Sequence, residues 1–337
     1  MSVADFDEAV VKTAEATLKR LASAREAVGA VIFGQERVVE HTLATLLCGG
    51  HGLLVGVPGL AKTKLVDTLG VVLGLEARRV QFTPDLMPSD ILGAEVMEEA
   101  SDRTRAFRFL KGPIFAQLLM ADEINRASPR TQSALLQAMQ EHHVTVAGAR
   151  YDLPQPFHVL ATQNPIEQEG AYPLPEAQLD RFLMQIDVDY PDRDAERRIL
   201  FETTKDVETR AKQAMDAEEL MAAQRLVRRA PIGESVVEAI LDLVRAARPG
   251  SGDAEITRSI GWGPGPRAAQ ALMLSTRARA LLDGRLAPSL DDVEALAEPV
   301  LKHRMALTYA ARAEGETVSS VIAKLVVKIL RKGDGAR

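Results

Sequence analysis

The feature that most limits what this chain can become is residues 53–65, LLVGVPGLAKTKL. An apolar run enters a turn rich in glycine and proline. Leu65, Val66, Leu69, Val72 and Leu73 then recur at helical spacing. Strand, loop and helix in that order gather free backbone N–H groups and the positive end of a helix dipole around one point, which suits an anion. Gly56-Val57-Pro58-Gly59-Leu60-Ala61-Lys62-Thr63 fits the phosphate-loop pattern G-x-x-x-x-G-K-[ST] except at Ala61. Lys62 would neutralise β- and γ-phosphates, the Thr63 hydroxyl would bind Mg²⁺, and Lys64 belongs to the same cradle. Alanine at 61 is tolerable if that residue already has the negative φ of the opening helical turn. The competing reading is an ordinary strand-turn-helix with a solvated lysine.

The strand-helix alternation continues to about residue 190. Its short apolar runs are GLLVG (52–56), ARRVQF (77–82), AQLLMADE (116–123), FHVLATQN (157–164) and MQIDVDY (184–190). They are too short for buried helices, so they predict a largely parallel sheet with helices on both faces. AEVMEEASDRTRAFRFL (94–110) and VTVAGARYDL (144–153), which turns at Gly148, predict two β-hairpins inserted into this α/β core. Residues 4–28 and 34–47 read as helices ahead of it. Beyond Tyr190-Pro191 helical patterns such as VSSVIAKLVVKIL (318–330) take over, interrupted by RPGSGDAEITRSIGWGPGP (248–266). The tail, RKGDGAR, reads as frayed.

Composition narrows the function classes. The chain has 337 residues, enough for two domains. With 41 Lys+Arg against 47 Asp+Glu its net charge is −6, which argues against a surface built as a whole for nucleic acid. The single cysteine, Cys48 in ATLLCGG, excludes an intramolecular disulfide and reads as a buried small hydrophobe in a reducing compartment. No run approaches the roughly 18 apolar residues of a membrane span, and the acidic, amphipathic N-terminus is unlike a signal peptide. A cytoplasmic location is expected. The histidines lack zinc-site spacing, so Mg²⁺ is the one metal indicated.

The run AQLLMADE ends in Asp122-Glu123. At a strand end beside a phosphate loop, Asp122 would hold Mg²⁺ through its water shell and Glu123 would polarise the attacking water. The bland alternative is a solvated acidic turn; it weakens because a helix start, Ser128-Pro129, follows. Asn164 ends FHVLATQN and could orient the water, although alone it reads as a turn residue before Pro165. Arg181 ends the short helix PEAQLDRF and could simply complement the helix dipole. Arg267 opens a helix after GPGP, where a cation opposes the dipole and suggests an anionic partner such as a γ-phosphate.

Taken together, GVPGLAKT, ADEINRASPRTQSALLQAMQE, ATQNPIEQEGAYPLPEAQLDRF and GPGPRA resemble signatures of the MoxR family of AAA+ ATPases, from about Gly34 to Leu330. The alanine before Lys62 is itself a trait of that family. The resemblance implies a five-stranded sheet of order 5-1-4-3-2 and an all-helical lid. It divides the chain into an N-terminal helical segment (1–30), a nucleotide-binding core (31–190) and the lid (191–337). The hairpins become a helix-2 insert (about 85–112) and a pre-sensor-1 hairpin (about 143–155). Lys62, Thr63, Asp122 and Glu123 match the Walker A and B residues, Asn164 sensor 1, Arg267 sensor 2 and Arg181 an arginine finger. Gly34-Gln35 resembles the segment lining an adenine pocket, and Arg126 is a weaker candidate for acting between subunits.

The resemblance further implies a homo-oligomer, a hexameric ring, hydrolysing ATP with Mg²⁺ to remodel or activate client proteins. Metal or cofactor insertion, and a partner carrying a von Willebrand A domain, go with it. A DNA-dependent motor is the first alternative, kept alive by Arg103, Arg105 and Arg108 of the first hairpin, and a nucleotide-gated scaffold the second. Phe107 and Phe109 are tempting client contacts, yet alternating aromatics in a hairpin more often pack.

Overall fold

A computed structural model of the chain describes residues 8–99, 105–166, 170–206, 209–251 and 253–331. Helices α1 (Glu8–Gly29) and α2 (Glu36–Leu47) lead into strand β1 (Gly52–Val55) and, past the phosphate loop, α3 (Lys62–Val72). Next come β2 (Ala77–Gln81), α4 (Pro88–Leu92), the hairpin β3 (Gly93–Glu99) and β4 (Arg105–Lys111), β5 (Leu118–Asp122) and α5 (Pro129–Glu141). The core closes with the hairpin β6 (His143–Val146) and β7 (Ala149–Asp152), then β8 (His158–Gln163), α6 (Glu176–Leu179) and β9 (Met184–Asp187). The polar turn expected within 94–110 and the tail at 332–337 fall wholly or largely outside the described residues.

The main sheet is wholly parallel in the order β2-β5-β8-β1-β9. Counted without the hairpins this is 5-1-4-3-2, as expected. Side-chain alternation sends Leu54, Met120 and Leu160 into one core and Leu53, Leu119, Ala121, Val159 and Ala161 into the other. All five residues of β5 are buried, whereas β2 lies at the sheet edge and buries only Val80. The edge strand can therefore carry Arg78, Arg79 and Gln81. The second hairpin turns through Ala147 and Gly148, both with positive φ (49° and 84°), the geometry of a tight two-residue turn.

The region expected as the lid holds α7 (Arg193–Thr203), α8 (Ala217–Arg229), α9 (Glu234–Ala246), α10 (Ala254–Thr257), α11 (Pro266–Leu282), α12 (Leu290–Leu301), α13 (Tyr309–Ala313) and α14 (Val318–Val326). To this helical unit the structure adds a short antiparallel ribbon of β10 (Ile260–Trp262) and β11 (Ala306–Leu307). Helix α11 buries residues around much of its girth and packs on α1, α2, α8, α9 and α12. One apolar core consequently runs from the sheet through α2 and α3 into the lid. Cys48 lies within it, and burial pushes its thiol up to about 12. Among the described residues no helix is long and apolar enough to cross a membrane.

Two buried histidines tie these layers together. His51 Nδ1 accepts from Val159 N (2.9 Å), so its Nε2 carries the proton given to Met139 O (3.1 Å). His158 Nδ1 donates to Gly50 O (2.9 Å), leaving Nε2 to accept from Gln224 of α8 (3.1 Å). Burial lowers His51 to about 3 and His158 to about 4. Between about pH 6.5 and 4 the unfolded chain binds protons that the folded chain refuses. Stability is thus full above that window and falls as pH drops, by about 1.4 kcal/mol per pH unit for each such histidine. The melting temperature is expected to fall steadily from pH 7 to 5; a flat profile would contradict this assignment.

Candidate nucleotide site

The loop leaves β1 through Gly56, where a Cβ would stand 2.4 Å from Val188 O, so only glycine lets the chain pass β9's extension. It ends at Ala61, which caps α3. The expectation of a negative φ there is overturned: Ala61 is left-handed, φ 56° and ψ 20°. An L-residue pays about 1–2 kcal/mol for that conformation, so alanine is tolerated here under strain. Ala61→Gly is expected to stabilise the fold by up to about 1 kcal/mol, a rise in melting temperature of roughly 2 °C, once glycine's greater unfolded-state freedom is subtracted. A fall on calorimetry would mean that Ala61 is not strained.

Lys62 Nζ donates to the loop's own carbonyls, Gly56 O (2.5 Å) and Val57 O (2.9 Å). Burial lowers its pKa, against the opposing pull of Asp122 and Glu123. A cavity of about 460 Å³ opens over the loop, lined by Pro58 to Lys64, Arg79, Gln81, Asp122, Glu123, Thr162 and Asn164. Three chain segments distant in sequence thus deliver Lys62, Thr63, Asp122, Glu123 and Asn164 to one place. The Thr63 hydroxyl and the Asp122 carboxylate are hard oxygen donors, the class that Mg²⁺ takes, and Lys62 with the α3 N-terminus suits phosphate.

The carboxylates are held by Thr162, Arg79 and Gln81, which the sequence did not single out, and by Arg126. Thr162 Oγ1 donates to Asp122 Oδ1 (2.5 Å) and accepts from Glu123 N (2.8 Å). Arg79 gives Nη2 (2.5 Å) and Nε (3.1 Å) to Asp122 Oδ2. Gln81 Nε2 donates to Glu123 Oε2 (2.7 Å), to which Arg126 also donates (3.2 Å). Arg126 is therefore paired within its own chain. Glu123 itself is left-handed, φ 56°. Asn164 Oδ1 accepts from Ile166 N (3.1 Å) while its side chain faces the cavity.

Arg181 and Arg267 stand elsewhere. Arg267, in the first turn of α11, faces Asp180 at 3.8 Å. Burial, and then the nearby Arg267 charge, hold Arg181 below the ordinary arginine range. Neither lines the loop cavity. The turn that carries Arg181 is gripped by Arg304, which donates to Asp180 Oδ1 (2.7 Å), Asp180 O (3.3 Å), Phe182 O (2.6 Å) and Leu183 O (3.0 Å), and also to Val300 O (2.6 Å). Gly34 and Gln35 also lie outside that cavity lining. Gly34 (φ 69°) is pressed so closely on Ala195 that a Cβ would stand 2.4 Å away, and Gln35 Nε2 donates to Asp189 O (2.8 Å). They fasten the joint between β9 and α7.

The first hairpin divides its aromatics. Phe109 packs as expected, stacked on Tyr151 at 4.0 Å between ring centroids and edge-on to Phe115. Phe107 does not: it is 73% exposed, opposite the exposed Met97. Arg108 is paired with Glu98 across the hairpin (3.1 Å), and Arg103 lies outside the described residues.

Comparison with known proteins agrees with this geometry. Residues 51–184 match the model of the ATPase family associated with various cellular activities (AAA), and residues 253–325 match an AAA lid domain. The chain is 40% identical to Chaperone MoxR1 of Mycobacterium tuberculosis over 88% of this chain and 78% of that protein. It is 33% identical to Protein MoxR of Paracoccus denitrificans over 86% and 90% of the two chains. A crystal structure from Cytophaga hutchinsonii, described as a candidate ATPase, superposes with a TM-score of 0.87 at 35% identity, covering 96% of this chain and 98% of that one.

Proposed function

Since this chain belongs to the MoxR family of AAA+ ATPases, we propose that it hydrolyses Mg·ATP at sites completed between its own copies in a ring of six. The cycle would remodel or activate client proteins in the cytoplasm. The observation that carries the reading is the separation of two sets of groups. Lys62, Thr63, Asp122, Glu123 and Asn164 converge on one cavity, while Arg181 and Arg267 sit side by side outside it. A phosphate cradle that Arg181 and Arg267 do not reach on one copy, and those two neighbouring cations on the next, Arg267 exposed and only 3.8 Å from Asp180, fit a heterologous interface.

Each group then has a task. Lys62 and the α3 N-terminus bind the β- and γ-phosphates. Thr63 and Asp122 would hold Mg²⁺, which when bound neutralises charge on the phosphate oxygens. Glu123 accepts the proton of the attacking water, and Asn164 orients that water. Arg181 of a neighbouring copy, with Arg267 beside it, stabilises charge developing on the γ-phosphate, a contribution of about 10³–10⁵ in rate for such a cation.

The exposed Phe107 and Met97 on the insert hairpin offer an apolar contact for a client. A von Willebrand A domain partner and delivery of a metal or cofactor belong to the same proposal by family resemblance. Arg108 is paired with Glu98 across the hairpin, which weakens one of the three cations behind the DNA-motor alternative. The convergence of Glu123 and Asn164 on the cavity argues for turnover over mere nucleotide-gated binding. The test is whether two variants broken on opposite sides of the shared site restore each other.

A further inference from the structure

Arg79 is the cation closest to the metal-binding carboxylate, and it arrives from an unusual direction. It sits on the edge strand β2, with its side chain about half exposed, and reaches across to a carboxylate in the buried strand β5. Two of its nitrogens meet Asp122 Oδ2, while Thr162 occupies Asp122 Oδ1. Lys62, the expected partner of a phosphate, is turned to its own loop carbonyls instead. The guanidinium thus stands where a divalent cation would draw on Asp122, and the carboxylate cannot serve both fully.

We propose that Arg79 is a resident counter-ion of the nucleotide site, which Mg²⁺ must displace from Asp122 and which then turns to the terminal phosphate on the same chain. The inference rests on the nucleotide reading above. Two observations and one electrostatic argument favour the second half. Arg79 lines the same cavity as Lys62, Thr63 and Asn164. Its position on an edge strand leaves the side chain room to swing. Once Asp122 is taken by a metal, the strongest anion left in the cavity is the nucleotide's own phosphate chain.

The same movement reaches Glu123. Arg79 Nη2 also donates to Gln81 Oε1 (2.9 Å), and Gln81 Nε2 holds Glu123 Oε2. Withdrawing Arg79 removes one of the anchors that fix the Gln81 amide. Arrival of the metal is thereby coupled to loosening of the general base. Arg79 is a positioning residue toward Glu123 and a direct contact toward phosphate.

The test uses the full chain and a fluorescent ATP analogue, followed by titration with MgCl₂ at fixed nucleotide and, separately, with EDTA present. In Arg79→Ala the Mg²⁺ midpoint is expected to fall roughly tenfold, because a two-point charged contact no longer competes. The preference for ATP over ADP is expected to shrink by a similar factor of about ten. Arg79→Lys, a point charge without the fork, should fall between the two, and it preserves the test if the alanine variant does not fold. An unchanged or raised Mg²⁺ midpoint in a folded variant overturns the assignment of Arg79 alone. Failure of the wild type to bind the analogue overturns the nucleotide reading and this one with it.

Discussion

Glu123→Gln is expected to bind Mg·ATP as the wild type does and to hydrolyse it about 10²–10⁴-fold more slowly. Glutamine matches the shape of glutamate and still accepts from Gln81, so the cavity wall is kept. What it cannot do is take a proton from water. The pair that is lost, Glu123 with Arg126, is half exposed on the arginine side and adds little to stability. Steady-state phosphate release beside a binding titration separates the two effects. Undiminished turnover in Glu123→Gln would remove this residue as the base.

Arg304→Met is expected to be the most damaging single change to the fold outside the apolar core. Arg304 is 2% exposed and gives its donors to one carboxylate and four carbonyls. Methionine fills much of the volume but leaves those carbonyls without their charged donor. Breaking a buried ion pair from one side costs about 3–5 kcal/mol. Asp180 keeps some solvent access and Arg267 at 3.8 Å, which places the expected loss near the lower bound, about 3 kcal/mol. Lysine would not rescue it, because one ammonium cannot follow the planar fork across two elements. Denaturant unfolding measures the loss, and a cost below about 1 kcal/mol would mean that the grip is incidental. The turn that Arg304 holds carries Arg181, so partial unfolding there should also depress hydrolysis.

The interior parallel strands β1, β5 and β8 were legible because strands buried on both faces are apolar runs. The hairpins were legible because Gly148 and alternating residues mark them. The phosphate loop and Asp122-Glu123 were legible because their chemistry is local, confined to eight and two consecutive residues. Ala61 was misjudged for a physical reason. Its side chain says nothing about the sign of φ, which is fixed by how the loop enters α3. Arg79 and Gln81 were invisible as site residues because polar alternation on an edge strand looks like solvation, and the carboxylates they meet belong to another strand. Arg304 carried no signal in the sequence, since burial of a charge depends on partners distant in the chain. The β10–β11 ribbon is too short to leave a pattern.

The central claim, a site shared between copies, is tested most directly by mixing. Glu123→Gln lacks a base but presents an intact Arg181; Arg181→Ala lacks the finger but keeps Glu123. Each variant alone is expected to be inactive. Assembled together at equal concentration, about a quarter of the interfaces should join an intact Glu123 to an intact Arg181, and ATP hydrolysis should return in proportion. A mixture as inactive as its components, or an Arg181→Ala protein as active as the wild type, would contradict a shared site.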